Sequence, residues 1–177
     1  DMDLATKTEK ALELLETLFQ EYGERAVWVA WTGGKDSTVA LHLWRTVVAK
    51  HGVETSRALS LDTGLKFPEV QAFRDGLAVQ WNVDVAIARP EAQDAGFIPA
   101  KDKEACCGAL KIEPLQRAIT GHSIAALISG IRRDEHLSRQ NRDFLEHRKS
   151  PDHAMVNPIL DFTEMDVWSY LTQHAIP

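Results

Sequence analysis

The chain has 177 residues, 44% hydrophobic and 26% charged, a composition typical of a globular protein with one sizeable core. Its formal net charge of -6 argues against a surface that coats nucleic acid, so a polyanion would bind in a local basic pocket of the size that a small nucleotide needs. No apolar run approaches the ~20 residues of a membrane span, and the polar start of the chain does not follow the plan of a signal peptide. We therefore expect a cytoplasmic protein that binds neither nucleic acid nor a membrane.

Apolar patterns along the chain predict alternating helices and strands. Residues 8–22 carry apolar side chains at helical spacing, and Gly23 is placed to end that helix. The run AVWVAW then lacks the alternation of a half-exposed strand and predicts a strand that is covered on both faces. An amphipathic helix follows, and the stretches RALSLDTGLKFPEV, with a helix expected from Pro68, and VDVAIARP, closed by Pro90, repeat the strand pattern.

This alternation predicts the fold class. Four strand–helix repeats indicate a doubly wound, mostly parallel α/β sheet of Rossmann-like type, with helices on both faces and right-handed crossovers. We expect one domain over residues 1–177, with an N-terminal helix within 1–23 and a core over 24–177.

The six residues TGGKDS, between the first strand and its helix, are the strongest chemical signal. Gly33 and Gly34 allow a tight turn and close approach of backbone N–H groups to an anion, and a helix starting near Ser37 adds the positive end of its dipole. Lys35 supplies a mobile positive charge, and Thr32, Ser37 and Thr38 supply hydroxyl donors. The spacing differs from that of a Walker A loop. We interpret this TGGKDS loop (Thr32 to Ser37) as a nucleotide phosphate site; the alternative is an ordinary turn.

Two further places carry candidate ligands. Asp62 and Thr63 follow the second strand at its carboxyl end, where open α/β sheets bind ligands, so Asp62 is a candidate for a metal or a ribose; the alternative is an ordinary Asp-Gly turn. Cys106 and Cys107 lie near Lys111 and are candidates for a metal or redox corner, or else a pair of small buried hydrophobes. None of His51, His136 and His174 is interpreted as a zinc ligand.

The segment SIAALISGIRRDEHLSRQNR is the second strong signal. An apolar strand ends at Ser129 and Gly130, and guanidinium groups that can grip phosphate or sulfate follow it. These are Arg132, Arg133, Arg139 and Arg142. The alternative is a solvated helix in which nearby acidic residues pair with the arginines. Beyond it, Pro158 predicts a strand that is an edge or ends irregularly, and Thr163 is expected to cap a helix.

Five motifs in this order resemble the phosphoadenosine phosphosulfate reductase family of the PP-loop, adenine-nucleotide α-hydrolase-like superfamily. They are TGGKDS, LSLDTGLKFPEV, CCGALKIEPL, SGIRRDEHLSR and NPILDFTEMDVWSYL, and they cover about residues 27–177. The resemblance implies an adenine nucleotide across the carboxyl ends of the strands, bound by Thr32, Gly33, Gly34, Lys35, Asp36, Ser37, Asp62, Thr63, Gly130 and Arg139. It also implies catalytic roles for Lys35, Arg132 and Arg133 near the phosphate or sulfate end.

In reductases of this type, a C-terminal cysteine attacks the sulfur of adenylyl sulfate, and a thioredoxin-like donor then releases sulfite. Members with a Cys-Cys pair complete a 4Fe–4S cluster with a later Cys-x-x-Cys, which would make Cys106 and Cys107 cluster ligands. The sequence ends at Pro177, before that tail, so the nucleophile and the second cysteine pair are not within it. The resemblance also leads us to expect a homo-oligomer.

Two other functions remain open. The intact Lys35 and Asp36 suit ATP-dependent adenylyl transfer, in which Lys35 and Mg²⁺ would neutralise the leaving pyrophosphate. RRDEHLSR is similar to the small subunit of sulfate adenylyltransferase, and NPILDFTEMDVWSYL to eukaryotic-type FAD synthetases. The third possibility is a nucleotide-binding subunit or sensor without catalysis. The sequence leaves adenylyl sulfate, its 3′-phosphorylated form and ATP as candidate ligands.

Overall fold

The computed structural model of the protein describes residues 2–62, 64, 67–90 and 112–177. The strands within them are β1 (Val27–Ala30), β2 (Ser56–Leu61), β3 (Val83–Ala88), β4 (Ala126–Ile128), β5 (Leu145–Arg148) and β6 (His153–Val156). The helices are α1 (Leu4–Tyr22), α2 (Lys35–Lys50), α3 (Pro68–Trp81), α4 (Glu113–Gly121) and α5 (Glu164–Gln173). Two short 3-10 turns, Arg133–Glu135 and Leu137–Arg139, follow β4.

The strands form one sheet in the order β3-β2-β1-β4-β6-β5. All neighbouring strands are parallel except β5, which pairs antiparallel with β6 at the edge. The chain proceeds outward from β1 to β3 and then crosses back to place β4 on the other side of β1. The predicted doubly wound, mostly parallel α/β sheet is therefore confirmed.

Helices cover both faces of this sheet. The larger core cluster joins buried side chains of α1, α2, α3 and α5 to one face, and the smaller cluster joins α4 to the other. Strand β1 contributes to both, since Val27 and Val29 lie in the first cluster and Trp28 in the second. Burial on both faces explains why this strand reads as a continuous apolar run.

Local sequence signals fix most helix ends. Gly23, at φ 74°, ends α1, and its N–H donates to the Phe19 carbonyl. Pro68 occupies the first turn of α3, and Thr163 caps α5 in a capping box with Asp166, as predicted. None of the helices in the described ranges combines the length and apolar character that crossing a membrane requires.

Two predicted boundaries differ from the structure. Helix α2 begins at Lys35, two residues before Ser37, because Gly34 already acts as its N-cap and accepts the Thr38 N–H at 3.1 Å. Strand β6 lies inside the sheet and ends at Val156, so of the two alternatives the irregular end before Pro158 is correct and the edge is wrong. The edge on this side of the sheet is β5, which the sequence did not predict because Leu145 is its one apolar residue.

Candidate functional site

The candidate site lies where the direction of strand addition reverses, between β1 and β4. The TGGKDS loop leaves the carboxyl end of β1, and the Gly130 segment leaves the carboxyl end of its parallel neighbour β4. Adjacent parallel strands whose connections diverge leave a crevice at this edge, and open α/β sheets bind their ligands there. The fold thus brings the two strongest sequence signals together.

Hydrogen bonds within the TGGKDS loop fix its shape. The Gly34 N–H donates to Thr32 Oγ1 at 3.1 Å, and the Thr32 N–H donates to Ser37 Oγ at 3.1 Å. Thr38 Oγ1 donates to the Gly34 carbonyl at 2.7 Å and accepts from Trp31 Nε1 at 3.0 Å. No side chain caps α2 at Gly34, so the backbone N–H groups in the first turn of this helix point uncapped towards the crevice.

The two glycines of the loop have different surroundings. Gly33 has φ +88°, and a Cβ there would lie 3.0 Å from Val70 Cγ1 and 3.3 Å from the Val70 carbonyl oxygen. Gly34 has the ordinary extended values φ -79° and ψ 167°, and a Cβ would meet only Thr32 Oγ1, at 3.1 Å. The unusual backbone and the close packing against α3 therefore belong to Gly33, whereas a Cβ at Gly34 would crowd only the Thr32 hydroxyl within the loop.

Lys35 lies at the mouth of the site with acidic neighbours. Its Nζ is 3.5 Å from Glu164 Oε1 and 3.8 Å from Asp36 Oδ1, and it lies 5.9 Å from the ring centre of Trp168. The Glu164 side chain is 64% exposed, so this pairing is open to competition from a bound anion. Glu164 and Trp168 were not identified from the sequence, because α5 is distant along the chain.

Arg132 is buried beneath the loop. Its side chain is 4% exposed, and its guanidinium faces Asp36 at 3.2 Å, Asp134, and Glu135 at 3.9 Å. Burial raises the pKa of Asp36, while the positive charges of Arg132 and Lys35 oppose that rise. This arrangement ties the first turn of α2 to the segment after β4.

Gly130 makes the closest contact between those two segments. A Cβ at Gly130 would lie 2.6 Å from the Ser37 backbone nitrogen and 2.8 Å from the Asp36 carbonyl carbon. Both are backbone atoms of the first turn of α2. Glycine at this position therefore allows the β4 exit to pack directly on the TGGKDS loop.

The other arginines after β4 make different contacts. Arg133 donates from Nη2 to the Arg142 carbonyl at 3.1 Å, and its guanidinium lies 5.4 Å from the ring centre of Phe144. Arg139 donates to Glu135 Oε1 at 2.8 Å. The alternative of a solvated helix is wrong in its backbone, since two 3-10 turns stand there, but the Arg139–Glu135 ion pair that it implied is present and partly exposed.

Asp62 follows β2 on the other side of the loop. Its carboxylate accepts the Gly64 N–H at 2.9 Å and Arg89 Nε at 3.2 Å, and the Gly64 hydrogen bond, with Arg89, holds the pKa of Asp62 below its usual value. Thr63, Cys106 and Cys107 lie outside the described residues. Among the residues that the structure does describe, no group of three or more His, Cys, Asp or Glu side chains is arranged to hold a metal ion.

The structure adds Arg74 of α3 to the site. The residue is 6% exposed, its Cβ lies 3.5 Å from where a Cβ of Gly33 would be, and Nη1 donates to buried Ser60 at 2.9 Å. Arg74 was not among the residues predicted for the site. A signal was present, because Arg74 falls four residues after Val70 and three before Leu77, on the inward face of α3.

Known proteins similar to this chain include reductases and transferases. It is 28% identical to the adenosine 5′-phosphosulfate reductase of Streptomyces coelicolor, over 94% of the chain and 69% of that protein. It is 33% identical to the phosphoadenosine 5′-phosphosulfate reductase of Alkalilimnicola ehrlichii, over 81% of the chain and 60% of that protein. It is also 31% identical to sulfate adenylyltransferase subunit 2 of Allorhizobium ampelinum, over 81% of the chain and 53% of that protein. The chain thus spans between 53% and 69% of the length of these curated relatives.

Solved structures share the fold. The phosphate complex of phosphoadenylyl-sulfate reductase from Candida auris matches with a TM-score of 0.76 and 16% identity, over 100% of this chain and 89% of that one. FMN adenylyltransferase from Candida glabrata, in complex with FAD and pyrophosphate, matches with a TM-score of 0.72 and 14% identity, over 96% of this chain and 58% of that one.

One family model matches most of the chain. The model of the phosphoadenosine phosphosulfate reductase domain matches residues 26–177, from the start of the first strand through the last helix. The chain therefore belongs to the phosphoadenosine phosphosulfate reductase domain family.

Proposed function

We propose that this chain forms the nucleotide-binding part of a sulfur-assimilation enzyme that reduces adenylyl sulfate or its 3′-phosphorylated form to sulfite. The observation that carries the proposal is the meeting of the TGGKDS loop with the arginine-bearing exit of β4 at the crevice between β1 and β4. The reductases that it resembles at 28% and 33% identity support the same substrate class.

The nucleotide is proposed to lie along the carboxyl ends of the strands with its phosphate and sulfate over the TGGKDS loop. Lys35 would leave Glu164 to neutralise the anion, and the uncapped first turn of α2 would donate backbone N–H groups. Arg133 and Arg139 would contact the same end of the ligand, while Arg132 would shape the site through its ion pair with Asp36. Asp62, Thr63 and Gly130 complete the proposed binding set.

The proposed reaction transfers the sulfonate group to a thiol. A cysteine thiolate attacks the sulfur, the S–O bond to the nucleotide breaks, and AMP or its 3′-phosphorylated form leaves, giving an enzyme thiosulfonate. A thioredoxin-like dithiol then supplies two electrons, releases sulfite and becomes a disulfide. The resemblance assigns the attack to a C-terminal cysteine, and the cysteines of this chain are Cys106 and Cys107. Since a 4Fe–4S cluster takes four thiolates, these two do not complete one.

ATP-dependent adenylyl transfer is the second candidate. The intact Lys35 and Asp36, and the 31% identity to a sulfate adenylyltransferase subunit, favour it. The surroundings of Asp36 oppose it, because a Mg²⁺ ion prefers carboxylate oxygens and Oδ1 of Asp36 already faces Arg132 at 3.2 Å. A Mg²⁺ ion held by Asp36 would have to use the other carboxylate oxygen, Oδ2, beside the positive charge of Arg132.

Calorimetry with four ligands tests the proposal. We expect adenosine 5′-phosphosulfate or its 3′-phosphorylated form to bind more tightly than ATP with Mg²⁺, and all three to bind more tightly than adenosine. Tighter binding of ATP, with pyrophosphate released on turnover, would replace the reductase by the transferase. On the natural protein at its full length, sulfite release in the presence of thioredoxin is the expected activity, and tight binding without any product would indicate a sensor.

A further inference from the structure

The site contains two buried arginines whose charges are balanced very differently. Arg132 faces three carboxylates, those of Asp36, Asp134 and Glu135. The Arg74 side chain is 8% exposed, and within the described part of the chain the carboxylate that pairs with it is that of Asp75, which is 67% exposed. A solvated carboxylate screens a buried cation weakly. Among the described residues, the charge of Arg74 is therefore less fully balanced than that of Arg132.

Arg74 also lies close to the backbone that shapes the loop. Its Cβ and the side chain of Val70, one turn earlier on α3, enclose Gly33 so closely that a Cβ there would lie 3.0 Å from Val70. Gly33 has the left-handed value φ +88°, and this turn leads the chain into α2, which begins at Lys35. Helix α3 thus supports the turn from behind.

The guanidinium end reaches the neighbouring strand. Nη1 donates to Ser60 Oγ at 2.9 Å inside β2, two residues before Asp62, and the charge of Arg74 contributes to the lowered pKa of Asp62. Arg74 therefore lies beside the loop after β1 with its Cβ and contacts the end of β2 through its guanidinium. These two segments flank the β2 side of the crevice, opposite Arg132.

We propose that Arg74 is a positioning residue for an anionic ligand of the phosphate or sulfate ester class, acting beside the Gly33 turn through a buried charge that the exposed Asp75 only partly balances. This inference rests on the proposed function, because it assumes that the anion lies over the TGGKDS loop. Arg74 does not need to touch the ligand. Its effect should appear in the affinity for the charged end of a nucleotide and not in the affinity for the nucleoside.

Calorimetry with adenosine 5′-phosphosulfate and with adenosine tests this assignment. The variants are Arg74→Met, which keeps the length of the side chain, and Arg74→Lys, which keeps its charge; circular dichroism and thermal melting check that each is folded. We expect Arg74→Met to weaken the binding of adenosine 5′-phosphosulfate by about tenfold and the binding of adenosine by less than about twofold, as the loss of one nearby charge predicts. Arg74→Lys should recover most of the loss.

A second variant tests the charge without altering Arg74. Asp75→Asn removes the carboxylate that partly balances the arginine. We expect this change to strengthen the binding of adenosine 5′-phosphosulfate by about two- to threefold. Asp84→Asn is the matched control, since Asp84 is 66% exposed but lies at the start of β3, at the far end of the sheet.

The outcomes separate this inference from the proposed function. The inference is wrong if folded Arg74→Met binds adenosine 5′-phosphosulfate normally, or if its affinity for adenosine falls by the same factor. In either case Arg74 has no special role towards the anion. If Arg74→Met does not fold, unchanged affinity in Asp75→Asn leads to the same conclusion. If the unaltered protein binds neither ligand, the proposed function fails as well.

Discussion

Replacing Gly130 by alanine should disturb ligand binding through backbone contact alone. The new Cβ would lie 2.6 Å from Ser37 N, 2.7 Å from Ser37 Cα and 2.8 Å from the Asp36 carbonyl carbon. Ordinary carbon contacts begin near 3.4 Å, so the exit of β4 and the first turn of α2 would have to separate by roughly 0.6 to 0.8 Å. The neighbours are backbone atoms, so no side-chain rotation relieves the contact.

The magnitude follows from two opposing effects. Inserting a methyl group into a close-packed contact destabilises a protein by about 1 to 3 kcal/mol. Alanine also lowers the conformational entropy of the unfolded chain, which offsets about 0.4 to 1 kcal/mol of that loss. Gly130 is not among the glycines with positive φ, so the backbone itself accepts alanine. We expect a net destabilisation of about 1 to 2 kcal/mol, together with about tenfold weaker binding of adenosine 5′-phosphosulfate, because the shifted atoms belong to the loop.

Urea unfolding and calorimetry measure these two effects. Gly76→Ala is the matched control: Gly76 lies inside α3, a Cβ there would have nothing within 4 Å, and alanine should stabilise the protein by about 0.5 to 1 kcal/mol. A Gly130→Ala protein with the stability and affinity of the unaltered chain would refute the close contact between β4 and α2.

Three further changes have distinct signatures. Burial and the nearby charges of His174 and Arg45 lower the pKa of His42 to about 4, and its ring is hydrogen-bonded to Tyr170. The stabilisation from neutral His42 should therefore be complete above about pH 6.5 and be lost as the pH falls towards about 4, by up to about 3 kcal/mol. Denaturant unfolding of His42→Gln over the same pH range should show a smaller loss of stability. Glu164→Gln should strengthen pyrophosphate binding by about two- to threefold in calorimetry, because Lys35 loses a competing partner, and unchanged affinity would contradict this. Arg133→Ala should weaken the binding of adenosine 5′-phosphosulfate roughly tenfold or more relative to that of adenosine. Equal losses of affinity for the two ligands would place Arg133 away from the anion.

The features that were predictable from the sequence depend on neighbours along the chain. Gly23, Pro68 and Thr163 mark helix ends through local backbone chemistry, and the continuous apolar run of β1 reports burial on both faces. The alternation of strands and helices then limits the topology to a doubly wound sheet. Strand β5 was missed because it is short and polar and gains its structure by pairing with β6.

The roles of the charged residues depend on contacts between distant segments. The sequence groups Arg132 and Arg133 as adjacent ligands, but the fold buries Arg132 among carboxylates and places Arg133 beside Phe144. Arg74 falls at an inward position of α3, but the burial of its guanidinium depends on β2 and on the Gly33 turn, which pack against it. Arginine stems often cover apolar surface while the charged end stays in water, so its helical position alone did not predict burial.

The glycine pair shows the same limit at a finer scale. In the sequence, Gly33 and Gly34 both read as residues that permit a tight turn beside an anion. The structure separates the two residues: Gly33 supplies the positive φ and fits against Val70, whereas Gly34 keeps an extended backbone beside the Thr32 hydroxyl. A side chain at Gly33 would therefore act on the fold through α3, while a side chain at Gly34 would act on the space that the proposed ligand needs. The two positions separate loss of folding from loss of binding within one dipeptide.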